Sequence, residues 1–183
     1  MIVVVTGPPG AGKSTVSAAV ARSFGRGIHL SADLFWHFIV PDYTMPWLPE
    51  AHAQNTVVGS AIAAAAMQFA IGGYPVVYDG IVLPWSLPPL IEMTATASLP
   101  LHYVILRPDL DTCVSRAVAR AAPELTDPEP VRHMHQEFAD VGAYEANVLD
   151  TSARSIEDTV AAVRTAVRSG RFQLRSEGTV EQG

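Results

Sequence analysis

The only lysine in this chain of 183 residues, Lys13, stands inside Gly7-Pro8-Pro9-Gly10-Ala11-Gly12-Lys13-Ser14-Thr15. This spacing of glycines, lysine and hydroxyl residues suits a loop that wraps phosphate. Glycine lets the backbone curl until its N–H groups converge on an anion at the start of a helix, where the helix dipole adds to the attraction. A compact ammonium at Lys13 would bridge the β- and γ-phosphates of a nucleotide, and the Ser14 hydroxyl would meet Mg²⁺. The other eleven of the twelve Lys and Arg side chains are arginines. The one ammonium has been kept where a point charge must reach phosphates, so a nucleotide with Mg²⁺ is the expected ligand.

Two carboxylates and a pair of arginines could complete a transfer reaction. Asp33 follows Ser31-Ala32 at the start of a helical stretch. It could take a proton from, or orient, a hydroxyl attacking the γ-phosphate, or it could serve as a first-turn acid complementing the helix dipole. Asp79 closes an apolar run and precedes Gly80. It could support the metal, contact the acceptor, or simply open an Asp-Gly turn. Arg116 and Arg120 are four apart and share one helix face, where they could clamp phosphate oxygens or form a solvated basic face. Arg107 and Arg132 are secondary candidates. Trp36, His37, Trp47 and Trp85 could line an acceptor pocket or pack in the core.

The elements that must carry these residues follow from periodicity. Residues 2–5 are an uninterrupted β-branched run, the pattern of a parallel strand buried on both faces. Residues 13–24 then repeat Val16, Val20 and Phe24 on one helical side. Further strands are expected at 28–30, 75–78, 101–106 and 147–149. Helices are expected from Ser31 until Pro41 stops them, and then over 50–71, ended by Gly72-Gly73. Three more should follow: one bearing Arg116 and Arg120, one near 131–141, and one over 155–168. Alternation of this kind predicts an α/β sandwich with a five-stranded parallel sheet between helices. In such sheets ligands bind beyond the C-terminal strand edges, the edge to which the phosphate loop, Asp33 and Asp79 are assigned. The Pro-rich stretch 123–130 reads as part of a lid over about 115–132. One domain is expected over 1–170, with a polar tail from 171.

Composition narrows the partners. A formal charge of −6 and the lack of a basic stripe argue against nucleic acid. The most apolar stretch, 57–71, is too short to span a bilayer. The chain begins directly on a strand with no basic leader, and its single cysteine, Cys113, cannot form an internal disulfide. A cytoplasmic protein, monomeric or homodimeric, is the expectation. His133 and His135 point apart on a helix, which argues against a zinc site.

Together the phosphate loop, Ser31-Ala32-Asp33, Asp79-Gly80 and Arg116-Ala-Val-Ala-Arg120 resemble the small P-loop kinases of metabolites, the group with shikimate, gluconate and nucleoside monophosphate kinases. The chain is also similar to the chloramphenicol phosphotransferase and zeta-toxin branches. The resemblance implies ATP as donor, a closing lid, a base at Asp33, and an adenine-side loop at Asp150-Thr151-Ser152, so that Thr151 and Ser152 join the nucleotide site. It departs from the anion-binding members in one respect: no arginine occurs between Arg26 and Arg107. An acceptor phosphate or carboxylate would need cations there, so the expected partner is a small neutral or amphipathic molecule offering a hydroxyl, such as a sugar, nucleoside or antibiotic-like alcohol. The alternative is an ATP-hydrolysing switch acting on a protein. A guanine-reading Asn-Lys-x-Asp signature is excluded, because it needs a second lysine.

Overall fold

The computed structural model describes residues 1–119 and 127–174. Its centre is a parallel sheet of β1 (Ile2–Thr6), β2 (Ile28–Ser31), β3 (Val76–Asp79), β4 (Leu101–Leu106) and β5 (Val148–Leu149) in the order β2-β3-β1-β4-β5. Register is tight where it matters for the site. Val5 stands opposite Asp79 across β1 and β3, and Ser31 opposite Asp79 across β2 and β3. Three consecutive strand ends therefore lie level at one edge of the sheet.

The period-two alternation of the strands divides the core into two layers. Val3, Val5, Val77 and Val104 face α1 (Lys13–Arg22) and α7 (Ile156–Ser169), whose Val16, Val20 and Val163 pack onto them. Ile2, Val4, Tyr78, Tyr103 and Ile105 face the opposite layer, built from α3 (His52–Ile71) and α4 (Pro88–Thr96). Every residue of β1 is buried, as its β-branched run requires.

Several sequence expectations change in the structure. The helix expected from Ser31 is only α2 (Asp33–Trp36), after which the chain leaves helical geometry well before Pro41. Helix α4 was not foreseen. Its two opening prolines look like breakers in sequence, but the first helical turn needs no intrahelical N–H, and Leu90 and Thr94 then bury one face. The same reasoning moves the start of α6 (Pro128–Glu137) back into the Pro-rich stretch, with Asp127 capping it by accepting from the Glu129 N–H. Helix α5 (Leu110–Val118) precedes it.

The tail expected from 171 is corrected over its first residues. Phe172 is buried against the α1–α7 layer, and β6 (Gln173–Leu174) pairs antiparallel with β4. A lone phenylalanine among polar neighbours drives that docking, while residues 175–183 lie outside the described residues.

His102 on β4 is 3% exposed, and its Nδ1 has no hydrogen-bond partner. Burial, and after it the charge of the N-terminal amine, holds its pKa below the usual imidazole range. The native state thus keeps His102 neutral, while the unfolded chain takes up a proton below about pH 6.5. Stability should be full above that pH and fall as the pH drops from there toward the depressed folded value. Urea midpoints at pH 7.5 and 5.5 check this: the wild type should lose more between them than His102→Gln. Equal losses would exclude His102 as the source.

Candidate active site

The phosphate loop begins where β1 ends. Gly7, Gly10 and Gly12 have φ of 143°, 83° and 88°, conformations that a side chain would oppose. Gly10 has a second reason to be glycine, since a Cβ there would collide with the Cys113 carbonyl oxygen of α5. The loop is thereby packed directly on α5. Gly12 caps α1 with no side-chain hydrogen bond to the first-turn N–H groups. The end of the helix dipole is thus presented with N–H donors open to an anion, and Ser14 and Thr15 are exposed in the same turn. Pro8 accepts from the Ala11 N–H at 3.2 Å and holds the curl of the loop, within which Pro9 is buried.

Lys13 reaches back over this loop. Its Nζ donates to the Gly7 carbonyl at 3.0 Å and to the Pro8 carbonyl at 3.1 Å. These bonds hold the ammonium above the concave side of the loop.

The next strand end carries Asp79, 3% exposed, whose Oδ2 lies 3.1 Å from Nε2 of His29 on β2. His29 was not singled out by the sequence reading. The signal available there was its place two residues before Ser31 in a short strand, which puts it on the same face as Asp79 once the register is known. A buried carboxylate so held has one oxygen fixed and is aimed at the edge beside the phosphate loop. The loop after β3 is fixed in turn: the Val82 N–H donates to Thr6 Oγ1 at 2.8 Å, and the Tyr103 hydroxyl donates to the Val82 carbonyl at 2.7 Å.

One strand further out, Asp33 opens α2 and is exposed. Two tyrosines register its charge. The phenols of Tyr78 on β3 and Tyr43 in the α2–α3 connection are both pushed up, by burial first and by Asp33 second. Asp33 therefore lies near both the sheet edge and that connection. Strand spacing puts it roughly 10 Å from the end of β1, about the room that a transferring phosphoryl group and an acceptor need. Trp36 is half-buried and donates to Asn55 Oδ1 at 3.1 Å, while His37 is exposed at the end of α2.

Arg116 is exposed in the last turn of α5. Burial raises the Cys113 thiol to about 11, opposed by the charges of Lys13 and then Arg116. Arg120 lies outside the described residues. Arg107 is occupied otherwise. It pairs with Glu145 through two hydrogen bonds of 3.0 and 2.9 Å and donates to the Phe138 carbonyl at 2.9 Å, tying the end of α6 to the turn before β5. Arg132 approaches Glu129 on its own helix, at 3.8 Å.

The adenine-side expectation divides in two. Thr151 is buried, and its Oγ1 has no hydrogen-bond partner. The Ser152 hydroxyl donates to Asp150 Oδ1 at 2.6 Å and accepts from the Asp109 N–H at 2.8 Å, joining the loops that follow β4 and β5. Its structural work is therefore evident, whereas Thr151 retains an unused polar atom.

The donor set suits Mg²⁺. The ion prefers hard oxygens and needs only one or two from the protein when phosphates and water supply the remainder, as the Ser14 hydroxyl and the Asp79 carboxylate could. Among the described residues no group of three His, Cys, Asp or Glu side chains could hold a metal by itself.

Comparison with known proteins bears on the fold. No curated protein sequence is detectably similar. Among solved structures, a gluconokinase from Sinorhizobium meliloti 1021 superposes with a TM-score of 0.71 at 18% identity, covering 92% of each chain. The tunicamycin resistance protein of Deinococcus radiodurans gives 0.64 at 15% identity, covering 96% of this chain and 98% of its own. Shikimate kinase from Acinetobacter baumannii in complex with shikimate gives 0.63 at 17%, covering 92% and 93%. At these identities the likeness is one of fold. The family model described as an AAA domain matches residues 2–141, phosphate loop and both carboxylate-bearing strand ends included, and the chain belongs to that AAA domain family.

Proposed function

We propose that the protein is an ATP-dependent kinase that moves the γ-phosphoryl group to a hydroxyl of a small molecule. The observation that carries this reading is the alignment of three level strand ends: Lys13 over an uncapped helix N-terminus, then buried Asp79, then exposed Asp33. The kinase names of the gluconokinase and shikimate kinase relatives support it.

In the proposed reaction the acceptor oxygen forms a bond to the γ-phosphorus while the bond from that phosphorus to the β,γ-bridging oxygen breaks, and ADP leaves with the electron pair. The hydroxyl proton passes to the Asp33 carboxylate. The N–H groups of the loop and the ammonium of Lys13 bear the charge on the phosphates. Arg116, and Arg120 with it, would add cations from the lid side. Ser14 and Asp79 would hold Mg²⁺, which supplies charge neutralisation when bound, and His29 keeps the Asp79 carboxylate in place. Thr151 would face the base. We place the reaction in the cytoplasm, on dissolved substrates. Among the described residues no helix is long and apolar enough to cross a membrane.

A panel of hydroxyl compounds incubated with Mg²⁺ and γ-labelled ATP tests the proposal. ADP release should rise with the right compound, and label should appear on it in equal amount. Consumption of ATP that answers only to an added protein would favour a switch and overturn the kinase reading.

A further inference from the structure

We infer that the acceptor is an alcohol with a sizeable apolar face and no acidic group, bound against the strap formed by residues 37–48; this rests on the kinase reading and specifies its substrate class. The strap connects α2 to α3 without regular structure, yet it is firmly held. Gln54 of α3 accepts from the Thr44 N–H at 3.0 Å and donates to the Thr44 carbonyl at 2.7 Å. Its neighbour Asn55 donates to the Pro46 carbonyl at 2.7 Å and accepts from the Trp36 indole at 3.1 Å. Two adjacent amides thus fix the strap and one aromatic ring together.

A strap pinned in this way could have turned polar side chains to water. Instead it exposes Phe38 (72%), Val40 (86%), Met45 (45%) and Trp47 (37%). Apolar area left in water forgoes about 25 cal/mol per Å², which a ligand with a matching face would recover. Trp85, on the connection after β3, is 69% exposed as well. The strap starts where α2 ends, on the short helix that Asp33 opens, and Asn55 ties it to the Trp36 ring of that helix, so it lies beside Asp33 and not on a remote surface.

Charge excludes the other acceptor class. Between residues 27 and 106 there is no lysine or arginine, whereas Asp33, Asp42, Glu50, Asp79 and Glu92 are all present. A carboxylate or phosphate on the acceptor would meet like charges there and find no guanidinium within that stretch to grip it. Lys13 and Arg116, the cations at the described site, belong to the phosphate side.

Three compounds sharing a six-carbon polyol separate the terms: glucose, octyl β-glucoside below its micelle concentration, and gluconate. Titration calorimetry in the presence of Mg²⁺ and the non-hydrolysable analogue AMPPNP should show octyl glucoside binding at least about tenfold more tightly than glucose, the gain expected from burying part of an alkyl chain. Gluconate should bind no better than glucose. Trp47→Ala and Asn55→Ala should each shrink the octyl-to-glucose ratio, with AMPPNP affinity showing that the variants are folded. Equal affinity for glucose and octyl glucoside, tighter gluconate, or octyl glucoside binding untouched by both variants would overturn the inference. Failure of the kinase reading would look different: octyl glucoside would still bind through Trp47 while no hydroxyl compound received label.

Discussion

Replacing Lys13 with methionine should lower turnover by about a thousandfold or more while leaving a folded protein, the magnitude expected when a charged stabiliser of a developing phosphate charge is removed from a preorganised site. Methionine keeps the unbranched length of the stem and deletes only the charge and its donors. The structural cost is separable from the catalytic one. In this structure the ammonium makes hydrogen bonds to the Gly7 and Pro8 carbonyls, each worth about 1 kcal/mol net. For a domain of this size 1 kcal/mol moves Tm by roughly 2–4 °C, so a modest drop in Tm is expected beside a near-complete loss of rate. Lys13→Arg should not rescue activity, because a planar fork is larger and differently directed than an ammonium drawn over the loop. The measurement is kcat/KM for ATP with the thermal midpoint alongside it. A variant retaining a tenth of the rate would remove Lys13 from its proposed role.

Much of the frame that positions this lysine is legible in the chain, for physical reasons. A parallel strand buried on both faces must be an apolar run, so β1 and β4 can be read directly; β4 runs over Leu101–Leu106, where the sequence places it. Glycines with positive φ and a following helix have a local signature, so the loop is readable too. Elements defined by tertiary packing are not. Helix α4 starts on two prolines and is committed by Leu90 and Thr94 meeting a layer that the sequence does not display. Strand β6 is two residues long and exists because Phe172 finds a buried site in the layer beside it.

The site divides in the same way. Asp33 and Asp79 are candidates by their place at strand ends, a one-dimensional property that the structure keeps. The His29–Asp79 contact joins residues 50 positions apart and depends on the register of β2 against β3. Arg107, a secondary candidate in the sequence, pairs with Glu145, a partner 38 positions away that only the fold brings to it. The amides of Gln54 and Asn55 carry no motif at all. Their meaning appears only once the strap lies beside them.

The second large effect is expected from Asp33→Asn, which keeps shape and removes the carboxylate. A positioned general base contributes on the order of 10²–10⁴ in rate, so kcat should fall at least about a hundredfold. Asp33 is exposed in the first turn of a four-residue helix. Its favourable interaction with the helix dipole is worth about 0.3–1 kcal/mol, and the thermal midpoint, measured alongside, separates any change in stability from the loss of rate. Lys13 and the phosphate loop lie two strands away, so the KM for ATP should stay near its original value. The two roles open to Asp33 leave different traces. If it accepts the proton, kcat falls and the acceptor KM changes little. If it only orients the hydroxyl, an asparagine still offers a hydrogen-bond acceptor, kcat largely survives, and the acceptor KM carries the loss. Steady-state kinetics with acceptor varied at saturating ATP distinguish the two. Near-normal kcat and KM together would take Asp33 out of the reaction and leave Asp79, on the adjoining strand end, as the carboxylate to be tested for contact with the acceptor.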